Sequence, residues 1–521
     1  MRIGVDVGGT NTDAVIIHDG QVIAALKTPT TDDVGTGVVL AIRGVLAQAG
    51  VPPGAIGQVT IGTTHFTNAF IERRRLMEVA VLRLTLPSNT SVRPMIDWPS
   101  DLTSVIGDHV YWAHGGYEFD GREIAPFDAT EIEDAARDIA RKGLRHVAIS
   151  CAFSPINDAM EQRAAAILRD RIPGLHVTLS SEVGRMGIIE RENAAIMNAA
   201  LSAMSGTVVG AFRSALQKLS ITAPFYISQN DGTIMGAAHV ERFPVLTFAS
   251  GLTNSMRGAA WLSGLQDAIV VDIGGTTTDV GVLAHGYPRE TAMAIDVGGV
   301  RTNFRMPDLH SIGLGGGSLV VRQPDGTVAV GPRSVGYDLI TKGLVFGGDV
   351  LTATDIAVAA GRGGIGDGAA VAGLDRALVG AAVDTIHAMV EAAIDRMKTS
   401  VTAVPVILVG GGGVLVSRPL AGVSELHVPR HADVANAIGA AMAQVGGEAD
   451  RIHFYDRVGR EAALDGAKAE AVAAAVTAGA DPASVRVMEV EETPVAYMPG
   501  NAMRVRAKAV GDLAATAPTA A

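Results

Sequence analysis

One pattern occurs twice in this chain and constrains its fold more than anything else in it. Near the start it reads Val5-Asp6-Val7-Gly8-Gly9-Thr10-Asn11-Thr12-Asp13, and it returns as Val271-Asp272-Ile273-Gly274-Gly275-Thr276-Thr277-Thr278-Asp279. Each copy runs on into an apolar stretch, Ala14–Ile17 or Val280–Leu283, and then a glycine-containing turn. Strand, tight turn and return strand make a β-hairpin. Its turn offers backbone N–H groups and Thr hydroxyls, a concavity that suits an anion. Gly8, Gly9, Gly274 and Gly275 are read as allowing positive φ and close approach of a ligand. Thr10, Thr12, Thr276 and Thr278 are read as donors to phosphate oxygens. Asp6 and Asp272 repel phosphate and suit a Mg²⁺ held through its waters. Asp13 and Asp279 either contact that ion or brace the hairpins. A single Gly-Gly-Thr is an ordinary turn; two copies with matching acids point to a polyphosphate gripped from both sides.

A third glycine cluster follows a short apolar run, Pro405–Val409, that reads as a buried strand. Gly410, Gly411 and Gly412 then offer bare backbone to a flat ligand such as adenosine. Downstream, Ala435–Ala441 reads as a small-residue helix made for close packing. No G-x-x-x-x-G-K-[ST] sequence is present, which excludes a P-loop. The set resembles the actin/Hsp70/sugar-kinase (ASKHA) superfamily. That implies an α/β, two-lobed actin-like ATPase (ribonuclease H-like) fold with ATP and Mg²⁺ between the lobes.

Within it, further segments resemble the hydantoinase A/oxoprolinase family. They are Ile61–Ala69, Phe153–Asn157, Ile189–Ala199, Asn230-Asp231-Gly232 and Asp308–Ser318. The likeness covers residues 1 to about 445. Many members of the family carry a long β-rich region after the adenosine-glycine lobe, and only about 75 residues, 446–521, follow the matched span here, so the chain resembles a short form of the family. The expected division is an N-terminal lobe, 1–180, with the first hairpin; a second lobe, 181–447, with the second hairpin and the adenosine glycines; and a small α+β module, 448–521.

The resemblance implies an ATP-dependent hydrolase that opens a cyclic amide such as a hydantoin, 5-oxoproline or another lactam. Phosphorylating the amide oxygen would give an activated imidate phosphate that water can open, with the protein positioning and stabilising charge. A hydantoinase B-like second subunit and an oligomer are implied. Carboxylation of a ketone by a multisubunit relative stays open. So do a small-molecule kinase, which would release a phosphoester, and a nonenzymatic nucleotide-switched scaffold. An iron–sulfur activator of the same fold needs a cysteine pair, and Cys151 is the only cysteine.

Asp6, Asp272 and His310 form the expected catalytic set. Asp308 and His310, two residues apart on an extended segment, suit a second divalent metal (Zn²⁺, Mn²⁺ or Fe²⁺) or a base; loop packing is the alternative. The following Gly313–Ser318 run offers bare backbone to an anionic intermediate. His65, among Thr63, Thr64, Thr67 and Asn68, either lines the substrate cleft or belongs to a helix cap. Glu190, Arg191, Glu192 and Asn193 read as a solvated or salt-bridged helix surface.

Composition narrows the partners. A net charge of −12 disfavours nucleic acid and anionic membranes. Apolar residues are 48% and aromatics 4%, so the core is aliphatic. No uninterrupted apolar run is expected to span a bilayer, and residue 2 already enters a strand, so a cytoplasmic chain is expected. Cys151 follows Val147–Ser150, a buried-strand pattern, and reads as a packed thiol.

Strands are expected at 2–7, 12–18, 21–27, 58–62, 77–84, 145–151 and 175–180. Helices are expected at 34–49, 65–73, 129–142, 157–170, 185–219 and 376–399, with an irregular, Pro- and Gly-rich insertion at 87–125. The tail reads as strand 451–455, helix 460–477 and strands 484–490 and 502–510.

Overall fold

The computed structural model describes residues 1–9, 11–31, 33–291, 294–362, 364–496 and 498–514. Strands β1 (Arg2–Val7), β2 (Asn11–His18) and β3 (Gln21–Pro29) form an antiparallel meander. The helix Val34–Ala49 follows; Asp33 accepts from Thr36 N at its start, and Gly50, at φ 64°, ends it. β4 (Gln58–Thr63) lies parallel to β1.

Four parallel strands then form a sheet of their own: β5 (Ala80–Leu86), β6 (His109–His114), β7 (His146–Cys151) and β8 (His176–Leu179), in the order β6-β5-β7-β8. The stretch expected to be irregular therefore supplies a strand, β6, and a helix, Ser100–Ile106. Most of β6 is only partly buried, as on a sheet edge, so it lacks a strong apolar signal.

β9 (Phe225–Ser228) rejoins the first sheet parallel to β4, and β10 (Thr233–Gly236) turns back beside it. β11 (Ala268–Ile273), β12 (Thr278–Ala284) and β13 (Tyr287–Pro288) repeat the meander. Two small hairpins follow, β14 (Ile295–Val297) with β15 (Val300–Thr302) and β17 (Ser318–Arg322) with β18 (Val328–Ser334). β16 (Leu309–Ile312), between them in sequence, pairs with β12. β19 (Val404–Val409) lies parallel to β11 and β20 (Val423–His427) parallel to β19.

The strand orders β3-β2-β1-β4-β9 and β13-β12-β11-β19-β20 are one topology used twice. Ile3, Val5, Val59 and Ile61 anchor the first core, and Ile269, Val271, Val406 and Leu408 the second. Burying each such side chain contributes about 2 kcal/mol.

The tail does not stand apart from this sheet. β21 (Gln444–Phe454) pairs with β10, and β23 (Ala502–Gly511) lies between β21 and β22 (Arg486–Pro494), giving nine strands. The helix Arg460–Thr477 packs on β21 and β23 through Ala467, Ala471 and Ala475.

Two helices, Ile188–Lys218 and Arg376–Met397, are long and apolar enough to cross a membrane by length and composition. The first is a core helix. Its Arg191, Glu192 and Asn193 are buried, so of the two expectations for this face the solvated one fails, while Glu192 is salt-bridged to Arg83 inside the core rather than at the surface. Glu192 accepts from Arg83 Nε at 2.8 Å and Ser150 Oγ at 2.6 Å. Arg191 donates to Cys151 O at 2.7 Å, and Trp98 Nε1 to Asn193 Oδ1 at 3.0 Å. Glu190, half-buried, pairs with Arg301 at 3.2 Å. Cys151 is fully buried, and burial pushes its thiol up and out of the reactive range.

Candidate functional site

The two hairpins place their acids identically. Asp6 lies opposite Asp13 across β1 and β2, and Asp272 opposite Asp279 across β11 and β12. The turns close alike, Gly8 N donating to Asn11 O at 3.0 Å and Gly274 N to Thr277 O at 2.9 Å. Asp6 is pushed up to about 6 by burial, then by the charges of Asp13 and Asp272, against donations from Asn254 and Asn436. Asp272 is also pushed up to about 6 by burial, with Asp279 and Asp13 adding and a hydrogen bond from Ser255 opposing. Asp6 and Asp272 are thus close enough for the charge of one hairpin to be felt at the other.

Two helices lock that arrangement. From Ser250–Ser263, Asn254 Nδ2 donates to Asp6 Oδ1 at 3.2 Å and Ser255 to Asp272, so one helix holds an acid of each hairpin. From Ala435–Met442, Asn436 Nδ2 donates to Asp6 Oδ2 at 3.0 Å and Asp13 Oδ2 at 2.8 Å. Lys27 Nζ also reaches Asp13 Oδ2, at 2.9 Å.

The helices touch backbone to backbone. A Cβ on Gly439 would sit 1.8 Å from Asn254 O, one on Gly258 1.9 Å from Ala435 O, and one on Gly4 2.0 Å from Ala437 O. Small residues are thus obligatory here, as the Ala435–Ala441 pattern implies. Asn254, Ser255, Asn436 and Lys27 were missed as site residues. Asn436 alone carried a signal, as the one polar side chain in an otherwise apolar small-residue helix.

The glycines act differently from expectation. None of Gly8, Gly9, Gly274 and Gly275 has positive φ. Instead, Cβ atoms on Gly9 and Gly275 would meet nothing within 4 Å, so both turns open onto free space. Gly410 does have φ 85°, and a Cβ there would strike Asp272 Oδ1 at 2.3 Å. Gly412 is pressed against Ile273 in the same way, while Gly411 opens to free space.

Thr10 lies outside the described residues. Thr276 is exposed at the second turn. Thr12 and Thr278 are fully buried and are not phosphate donors here: Thr12 Oγ1 meets Thr30 Oγ1 at 3.3 Å, and Thr278 Oγ1 donates to Leu314 O at 2.7 Å. Alternation along a strand turns these hydroxyls inward. The Gly313–Ser318 run is likewise a support. Gly316 N and Gly317 N donate to Gly274 O at 3.0 Å and Gly275 O at 2.7 Å, fastening the second turn from behind.

Asp308 is engaged by Arg289 at 2.6 Å, and burial with nearby Arg396 lowers the His310 imidazole. Among the described residues no group of three or more His, Cys, Asp and Glu side chains is poised around a metal. His65 lies at the mouth of the first hairpin. Its Nδ1 is 2.6 Å from Thr63 Oγ1, and Thr64 N donates to Val7 O at 3.3 Å. Thr64 makes no side-chain cap, but Thr63 Oγ1 accepts from His65 N at 3.3 Å at the start of the helix His65–Ile71, so the capping alternative for this cluster stands. Burial pushes His65 down, so it is neutral near pH 7.

The residues present fit Mg²⁺ and a polyphosphate. Two acids share one space at unfavourable charge, both turns are open, and Asn254 Oδ1, buried beside Asp6, has no hydrogen-bond partner in the protein.

Two lobes of one topology, with the same acid register in the hairpin of each, define a two-lobed actin-like α/β fold. Residues 2–172 match the hydantoinase/oxoprolinase N-terminal region and residues 191–363 the hydantoinase/oxoprolinase model. The chain belongs to the hydantoinase/oxoprolinase family.

It is 29% identical over 414 residues to the caprolactamase subunit alpha of Pseudomonas jessenii, covering 75% of this chain and 58% of that protein. It is 26% identical to the acetophenone carboxylase gamma subunit of Aromatoleum aromaticum, covering 69% of this chain and 53% of that one. The chain thus spans little more than half the length of these relatives. In fold it resembles the ATP-dependent caprolactamase of Pseudomonas jessenii, with a TM-score of 0.79 at 19% identity over 99% of this chain and 88% of that one. It also resembles acetone carboxylase, with a TM-score of 0.67 at 16% identity over 98% and 88%.

Proposed function

We propose that this chain binds ATP with Mg²⁺ between the two hairpins and uses it to hydrolyse a cyclic amide, working with a hydantoinase B-like second subunit in a cytoplasmic oligomer. The observation that carries the reading is the duplicated acid register, Asp6 with Asp13 and Asp272 with Asp279, focused on one cleft. ATP bound there would supply a phosphoryl group to the amide oxygen; water adding to that carbon would then expel the ring nitrogen as the amine, and hydrolysis of the acyl phosphate left behind would release phosphate and the acid.

The protein's part is positioning and charge. Asp272, the more exposed of the two acids, and Asp6 hold the ion through its waters. The open faces of Gly9 and Gly275, with Thr276, receive phosphate oxygens. Gly411 offers open backbone to the adenosine. Neutral His65, beside Thr63 at the first turn, accepts a hydrogen bond from the attacking water or from the ring. The relatives named as an ATP-dependent caprolactamase and as subunits of larger enzymes support the substrate class and the partner.

The test is phosphate release by the purified chain, with and without its second subunit, over a panel of lactams and hydantoins. Release stimulated by a ring and matched by ring-opened acid supports the reading. A stable phosphoester in place of free phosphate would replace it with a kinase.

A further inference from the structure

One cavity lies away from the hairpins. About 710 Å³ in volume, it sits between the loops that follow β7 and β8, the strands β10 and β21, and Arg504 on β23. Neither Asp6 nor Asp272 lines it. Smaller cavities of about 410 and 310 Å³ continue it past Met186 and Arg504, which line all three. Parallel α/β sheets receive ligands at the carboxyl ends of their strands, and β7 and β8 end here. The volume is that of a small-molecule site.

The lining is charged and balanced. Arg185, Arg305 and Arg504 stand among Glu182, Glu448 and Asp450. Arg504 Nε meets Asp450 Oδ1 at 2.8 Å, and Arg305 meets Glu448 at 2.6 Å. Arg185 pairs with Glu290 at 2.8 Å, yet its Nε is buried with no hydrogen-bond partner in the protein. A buried donor left unpaired is unfavourable, and a ligand acceptor would satisfy it. A ligand of one charge would displace one member of a pair and strand the other. A ligand carrying both charges replaces both.

We propose that this cavity binds a zwitterionic amino acid, with its carboxylate on Arg185 and Arg504 and its ammonium on Glu182 and Asp450. The assignment rests on the cyclic-amide reading above, because hydrolysing a lactam leaves one carboxylate and one amine on one molecule: the product class. The site is also tied to the hairpins. Gln229, in its wall, accepts from Thr253 Oγ1 at 3.2 Å, and Thr253 precedes the Asn254 that holds Asp6.

The experiment is calorimetry and thermal unfolding of the full chain with β-alanine, γ-aminobutyrate and δ-aminovalerate, against butyrate and butylamine as single-charge controls. The amino acids should bind and raise the melting temperature, and the controls should not. Arg504→Gln and Glu182→Gln should each weaken amino-acid binding at least tenfold while keeping the Mg²⁺–ATP thermal shift, which also shows that they fold. Binding of either control as tight as that of the amino acids, no amino-acid binding, or undiminished binding in both variants would overturn the proposal. Amino-acid binding without lactam-stimulated phosphate release would sink the cyclic-amide reading and leave the site standing.

Discussion

The first hairpin surrounds its second acid with fixed partners, Lys27 and Asn436 at 2.9 and 2.8 Å from Asp13. At the second hairpin the equivalent Asp279 is met by hydroxyls, Ser311 and Thr277. Asp6 is 4% exposed, whereas Asp272 and Asp279 are both partly open to the cleft. One register thus sits in two environments: the acids of the first hairpin are buried among fixed partners, and those of the second are more open.

The largest expected effect tests that division. Asp272→Asn should lower ATP turnover about a hundredfold or more, the scale of losing one preorganised electrostatic group, while circular dichroism stays unchanged. A variant that hydrolyses ATP like the parent would make Asp272 structural.

Next comes the contact that joins the lobes. Gly439→Ala forces a methyl to 1.8 Å from Asn254 O and should cost about 3 kcal/mol in denaturant unfolding. No loss would mean that the two helices separate readily.

The hairpins then differ in stability. Lys27→Met strands Asp13 without its cation and should cost about 2 kcal/mol, discounted because Lys27 is partly exposed. Ser311→Ala at the second hairpin should cost about 1 kcal/mol. Equal losses would erase the contrast.

The smallest effect is a pH dependence. Asp6 and Asp272 hold protons up to about 6 in the folded chain, while an unfolded Asp releases its proton near about 4. The folded state binds more protons between these values, so ligand-free stability falls as pH rises from about 4 to about 6. Each acid contributes at most about 3 kcal/mol to that fall. The Mg²⁺-dependent thermal shift with ATP should grow over the same window, since the ion needs carboxylates. Melting curves of the parent and of Asp272→Asn measure it, and identical pH slopes would remove Asp272 from the titration.

Much of the fold was legible because it is local. The hairpins, the capped helix after Asp33 and the helix Arg460–Thr477 follow from periodicity and turn chemistry. Around the candidate site, the matching register of Asp6 with Asp13 and of Asp272 with Asp279 was legible from the repeated hairpin pattern. The neighbours of those acids come from residues 254, 255 and 436, and nothing in a strand–turn pattern points so far along the chain. Thr12 and Thr278 were misread because a motif gives residue types and not the face each side chain takes. The salt bridge of Glu192 was among the expectations but its burial, and that of Arg191, was not, because helix charges are mostly solvated, whereas here Arg83 on β5 and Ser180 of the helix Ser180–Val183 complete them inside the core. The tail's elements were legible, but not their pairing. β21 meets β10, and Arg506 and Lys508 close on Glu290 at 2.6 and 3.0 Å, about two hundred residues away.

That pairing sets an order of assembly. β1 to β4 lie within the first 63 residues and can pair as soon as they are made, but β10 waits for β21, and β21 for β23 at residues 502–511. Until then β10 is an open strand edge on a half-finished sheet, exposed for the time needed to synthesise more than 250 residues. The late strand brings two cations, Arg506 and Lys508, to acids already waiting on Asp231 and Glu290, whose charges Lys508 and its arginine neighbours hold well below the usual carboxylate range despite burial. Before that strand arrives the two acids have Arg305 and Arg185 against them, at 3.2 and 2.8 Å, so the last strand is what completes the charge balance at this edge.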